Sequence, residues 1–294
     1  MNNNLLTENI KKYLISEEAG ISNEVLSQVN IIKKKIIELE KVEQVQIHPK
    51  KNYSYKLVTF KTNVFGREVN IRVLIRLVVS DYEKDMCLQY GICGGSYNID
   101  NGTMTIRTIK TQDGKIFWER GLSTIQHELE HIFQINKIGK DFNQKPKNES
   151  LYNLSRKLSD LNSSEDERLI AYTIYASFKF ETNANENGLY SYLIEKGETF
   201  SMQELIELIE EHNLYFLVSD LKKLLTILNN NKTKYNTLNS YMIITYNKNL
   251  EWFIKLAKST IKNYTRVFGR VIYKVNKDKG KNVDTNLEYK RDLN

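Results

Sequence analysis

The chain has 294 residues, only two of them proline and two cysteine, with 40% hydrophobic and 27% charged residues and a formal net charge of +7. That length accommodates one large domain or two modest lobes with a substantial core. The composition excludes a disordered chain, a Pro-rich linker and a disulfide framework. No stretch approaches the roughly 20 apolar residues that span a bilayer, so no membrane partner is expected. The start, Met1-Asn2-Asn3-Asn4 and then Leu5-Leu6, lacks the basic flank and apolar core of a signal peptide, and a cytoplasmic location is the expectation.

Residues 5–15 and 22–42 read as helices. In the second, Val25, Val29, Ile32, Ile36 and Leu39 recur at helical spacing, with Ser22 or Asn23 at the cap position. Pro49 and the polar run Lys50-Lys51-Asn52 close that segment. Tyr53–Thr62 and Val69–Val79 are strand-like runs, and Phe65-Gly66-Arg67 between them predicts a hairpin. Gly91, Gly94 and Gly95 mark a turn-rich stretch around Cys93. Beyond it, Ser96–Ile99 and Thr103–Ile109 flank Asp100-Asn101-Gly102, a second hairpin signal.

From Phe117 onward the periodicity is helical, with helices expected near 117–138, 148–160, 164–195, 201–212, 215–229 and 249–264. Lys255, Lys258, Lys262, Arg266, Arg270, Lys274, Lys277, Lys279 and Lys281 make the C-terminal stretch basic, which reads as a solvated face or tail. The residues from about Lys281 lack periodic apolar positions. The order predicts an α+β fold: a small N-terminal mixed or antiparallel sheet, then a mostly helical C-terminal half. It divides into a helical segment over 1–50, an α+β lobe over 51–140, a helical lobe over 141–264 and a basic, partly disordered segment over 265–294.

One pentapeptide carries chemistry: His127-Glu128-Leu129-Glu130-His131. Residues i and i+4 of a helix share a face, so both imidazoles can reach one metal ion, and Glu128 falls beside them as a general base. Zn2+ suits imidazole ligands and, with one position left open, acidifies a bound water. Leu122, Ile125, Leu129, Ile132 and Phe133 form an apolar face, and His127 and His131 lie on the other side with Thr124, Gln134 and Ile138. A solvated surface helix would carry paired charges where these two histidines stand.

These residues resemble the HExxH signature of the zincin metallopeptidases, and the resemblance covers roughly residues 103–138. It implies a zinc-dependent peptidase acting on a peptide or protein substrate. It also implies an edge strand before the motif helix that binds extended substrate, a role that falls here to Thr103–Ile109. The metzincin subclass is excluded, because its Gly and third His correspond to Gln134 and Lys137. A downstream glutamate, as in gluzincins, is the better third ligand. On the helix expected over 164–195, Ile170, Ala171, Ile174 and Phe178 form an apolar stripe that runs into Glu181, where an unpaired carboxylate would be costly. Glu167 lies on the same stripe, but Ser164-Glu165-Asp166-Glu167 gives it a capping-box task. Glu181 is therefore the expected ligand and Glu167 the alternative. Phe180-Glu181-Thr182-Asn183-Ala184-Asn185 after an aromatic-rich helix also resembles uncharacterised HExxH proteins of phages and gut bacteria. The phage likeness leaves a virion-associated location open beside the cytoplasmic one, and Asn185 is a candidate for orienting a ligand or water. The gluzincin resemblance also implies an oxyanion donor, commonly Tyr or His; the 18 tyrosines leave it unselected, and Tyr172, Tyr175 and Tyr190 share the expected helix with Glu181.

Two other readings remain open. Gln126 through His131 resembles the peptide deformylase motif, whose cysteine ligand would correspond to Cys87, but the Gly-rich and Glu-Gly-Cys-Leu motifs of that family are missing here. Alternatively, a zincin-like fold serves as a structural or nucleic-acid-binding module. No zinc-finger spacing, aromatic RNP-like strand or basic heptad region supports nucleic acid as a partner, and a purely structural zinc has no use for Glu128.

Overall fold

The structure is a computed structural model that describes residues 23–50, 53–78, 94–116, 118–138, 164–196, 201–230 and 248–278, together with residue 80, 153–155, 158, 239–240 and 242–243. Its elements are α1 (Asn23–Glu40), β1 (Gln46–Ile47), β2 (Ser54–Val64), β3 (Arg67–Leu77), β4 (Gly94–Asn98), β5 (Thr103–Lys110), α2 (Trp118–Ile138), α3 (Glu165–Ala176), α4 (Lys179–Lys196), α5 (Met202–Glu211), α6 (Asn213–Asn230) and α7 (Leu250–Asp278). The fold class is α+β, as the order of patterns predicts. The helix expected over 5–15 and the residues around Cys87 lie outside the described residues. No described helix is long and apolar enough to cross a membrane.

The chain separates into two compact units, one of residues 20–142 with 187–198 and the other of 143–186 with 199–294 and 1–19. The first contains a five-stranded sheet in the order β1-β2-β3-β5-β4. β2 and β3 pair antiparallel, β3 and β5 parallel, and β4 and β5 antiparallel, so the sheet is mixed. The strand directly before the motif helix, β5, is internal. This corrects the expectation that Thr103–Ile109 is an edge: the chain between β3 and β5 adds β4 outside β5, and β4 is the outermost strand on that side among the described residues.

Strand alternation buries Val69, Ile71, Val73 and Ile75 of β3 and Met104 and Ile106 of β5 on one face. Val25, Val29, Ile32 and Ile36 of α1 and Leu122, Ile125, Leu129 and Ile132 of α2 cover it. The β2–β3 turn is a two-residue loop in which Phe65 and Gly66 both have positive φ, 51° and 77°. Phenylalanine in that region costs about 1 kcal/mol. It is held there by α2: Asn136 Nδ2 donates to the Phe65 carbonyl at 3.0 Å, and Phe133 meets the Phe65 ring edge-on at 5.3 Å. The hairpin and the motif helix thus fix each other's register.

In the helical unit, the Ser164–Glu167 capping box opens α3 as the sequence predicts, and a second box, Ser201–Glu204, opens α5. The single helix expected over 164–195 is two helices, broken at Ser177 and Phe178. Phe178 and Phe180 stack with centroids 5.5 Å apart and planes within 10°. Residues two apart point to different sides of a continuous helix, so that contact demands a break. α7 does not stop at 264 but continues to Asp278, burying Phe253, Ala257, Tyr264, Val267, Val271 and Val275 along one side.

Candidate metal centre

α2 presents His127 and His131 one turn apart, both half-buried. Their rings are perpendicular, 89°, with centroids 4.8 Å apart, and the two Nε2 atoms lie 3.1 Å from each other. Glu181, 2% exposed, completes the group: one ligand atom from each of His127, His131 and Glu181 lies within 4.8 Å of the others. Glu128 sits on the same turn of α2 as His127 and is 5% exposed.

The group suits a divalent metal by donor set, and its two nitrogens do so by spacing, while the Glu181 oxygen lies within 4.8 Å of them. Two nitrogens bound at about 2.0–2.1 Å in tetrahedral geometry sit roughly 3.3 Å apart, close to the 3.1 Å observed. Two imidazoles and a carboxylate suit zinc and the other first-row divalent ions. The group could therefore hold a metal ion.

The second half of α4 lies on α2. Gly188 marks a close approach: a Cβ there would stand 3.0 Å from the Ser123 carbonyl oxygen, 3.1 Å from Ser123 Oγ and 3.6 Å from His127 Cβ. One turn on, Ser191 Oγ donates to Gln126 Oε1 at 2.8 Å. Glu181 precedes Gly188 by seven residues, two turns, and so shares its side of α4.

The first half of α4 is tied to α7. Asn263 Nδ2 donates to Thr182 Oγ1 at 3.2 Å, Asn185 Nδ2 donates to Tyr264 Oη at 2.9 Å, and Arg270 grips both carboxylate oxygens of Glu186 at 2.7 and 2.6 Å. Tyr264 Oη in turn donates to the Ala176 carbonyl at 3.0 Å. Asn185 therefore has a bracing task, and Arg270 is half-buried in an ion pair rather than part of a solvated basic face.

Of the tyrosines, Tyr175 packs edge-on against Phe178 and Phe180, and Tyr190 is buried. Tyr172 stands on α3, not on the helix of Glu181. Its phenol is pushed up to about 12, first by desolvation and then by the charge of Glu181. The residue keeps 45% of its surface accessible. The Tyr264 phenol is pushed up further, by burial first, then by Tyr172 and Glu181, against the hydrogen bond from Asn185.

The remaining candidates are used elsewhere. Glu167 accepts from the backbone and hydroxyl of Ser164 at 2.8 and 2.9 Å, which is its capping-box task. His48 packs on Tyr53 with ring centroids 4.9 Å apart, and its Nδ1 accepts from the Lys50 N–H. His212 ends α5, and its Nδ1 accepts from Leu214 N–H at 3.2 Å. Sequence reasoning missed Gly188 and Gly95. A glycine inside an expected helix, and another beside a strand-like run, were the available signals. Comparison of the chain with protein-family models, with curated proteins and with solved structures finds no match.

Proposed function

We propose that the chain is a zinc-dependent, gluzincin-like peptidase that hydrolyses a peptide or protein substrate. The observation that carries this reading is the convergence of His127, His131 and Glu181 within 4.8 Å, with Glu128 buried on the same turn of α2. A zinc ion held by the three would supply Lewis acidity and a water acidified toward neutrality. The Glu128 carboxylate takes a proton from the attacking water as that oxygen bonds to the carbonyl carbon. When the C–N bond breaks, Glu128 passes the proton to the departing amine nitrogen. β4, Gly94–Asn98, is outermost on its side of the sheet among the described residues, which supports docking of an extended substrate by strand pairing there.

The test is elemental analysis of wild type, His127→Ala, Glu181→Ala and Glu128→Gln, alongside hydrolysis of labelled casein and a mixed fluorogenic peptide pool. Wild type and Glu128→Gln are expected to carry about one zinc and both alanine variants to lose it. Glu128→Gln should lower hydrolysis about 10²–10⁴-fold. Zinc retained by Glu181→Ala removes that ligand, and a wild type without zinc after reconstitution removes the reading.

A further inference from the structure

β4 has five residues, of which two are glycine. Glycine weakens a strand interior through its backbone freedom and lack of packing, and its presence there marks a place where another group comes close. Gly95 stands opposite Ile106 and Tyr97 opposite Met104. Ile106 and Met104 are fully buried beneath the helices, and Tyr97 packs against the same core. Alternation therefore puts Gly95 on the side of the sheet that α2 covers.

A Cβ at Gly95 would lie 2.4 Å from Thr124 Cγ2 and 3.0 Å from both Cγ and Oε1 of Glu128. Non-bonded carbons rest about 3.5–4.0 Å apart, so the first contact is impossible and the others are compressed. Thr124, one turn before Glu128, is β-branched and restricted in a helix to few side-chain orientations. Glu128 has three rotatable bonds and is the easier of the two to displace. If α2 lifted away from β4 instead, Glu128 would be carried with it.

We propose that Gly95 is a positioning residue: the space left by its missing side chain seats the Glu128 carboxyl group against β4 and aims it at the metal centre. This rests on reading Glu128 as the proton acceptor of a metal site. A side chain at position 95 displaces that carboxylate and leaves His127, His131 and Glu181 able to bind metal.

The test uses the full chain loaded with Co2+ and titrated with acetohydroxamate, which chelates the metal through two oxygens and gives its proton to an adjacent carboxylate. Binding is followed by the visible spectrum of cobalt. Gly95→Ala, Gly95→Ala with Thr124→Ala, Thr124→Ala alone and Glu128→Gln are compared with wild type. All should take up about one cobalt. Acetohydroxamate should bind about tenfold or more weakly to Glu128→Gln and to both variants carrying Gly95→Ala, the loss expected for one charge-assisted hydrogen bond. Thr124→Ala removes the 2.4 Å clash, so the double variant should regain thermal stability without regaining acetohydroxamate affinity, a split that a purely structural role would not produce. Wild-type affinity in the double variant overturns the proposal. So does loss of cobalt from Gly95→Ala, which would make Gly95 a packing site for the ligands. If Glu128→Gln binds acetohydroxamate as wild type does, the role of Glu128 falls and takes the proposal with it. A wild type that takes up no cobalt removes the metal centre itself.

Discussion

Replacing Gly188 by alanine sets two opposing effects against each other. In the interior of α4 the change favours the helix by about 1 kcal/mol, because alanine has less backbone freedom to lose. Against this, the new Cβ would meet the Ser123 carbonyl oxygen at 3.0 Å and Ser123 Oγ at 3.1 Å, where carbon–oxygen contacts settle at about 3.3–3.6 Å. The hydroxyl can rotate away, but the carbonyl belongs to the backbone of α2 and cannot. The two helices must therefore part by about 0.3–0.6 Å, and such overpacking costs about 1–3 kcal/mol. Net destabilisation of about 1 kcal/mol follows, which lowers the thermal midpoint of a chain this size by about 2–4 °C. The assay is thermal unfolding of metal-free protein followed by circular dichroism. Adding Ser123→Ala should not restore the midpoint, since the carbonyl remains. A midpoint raised by Gly188→Ala would refute the argument, because helix propensity would then have prevailed and the helices would be free to separate.

Arg270→Ala should destabilise the chain by about 3 kcal/mol, because it leaves Glu186 buried without its bidentate partner. Arg270→Met combined with Glu186→Leu should cost clearly less in urea unfolding, and equal losses would contradict the account. Glu40 answers to pH. Burial works to raise its carboxyl, but hydrogen bonds and charges from Lys110 and Lys56 outweigh it, and the net value is lowered from 4.5. The stability this supplies is fully present above pH 4.5 and disappears as pH falls through the lower folded value. Glu40→Gln should flatten the acid limb of a stability–pH curve, and an unchanged slope below pH 4.5 would count against the pairing.

What the sequence made legible was short-range. α2, the Ser164–Glu167 box and the two hairpins follow from spacings within a few residues. The break at Ser177 and Phe178 was hidden, because Ile170, Ala171, Ile174, Phe178 and Glu181 fit one helical stripe equally well. The aromatic stacking that decides the matter is visible only in three dimensions. Glu181 is buried as the stripe implied, but it is placed there by a new helix rather than by the continuation of the old one. Strand order was equally out of reach: nothing local says that the stretch between β3 and β5 adds a strand outside β5. Arg270 looked like one cation among many because its partner lies 84 residues away.

Glu181 has a second explanation that involves no metal. It stands in the first turn of α4, where the peptide dipoles favour a carboxylate. Magnitude weighs against this as the whole account. A helix terminus contributes about 0.3–1 kcal/mol, and about 2 in partly buried settings, whereas taking a carboxylate out of water costs several kcal/mol. The two imidazoles beside it are limited in what they can add. With their Nε2 atoms 3.1 Å apart, only one proton fits between them, so at least one nitrogen turns a lone pair inward. Protonating both would set two N–H groups, each carrying positive charge, against each other. A divalent cation held between the two rings and the carboxylate would satisfy all three donors together, where one shared proton satisfies them only in part.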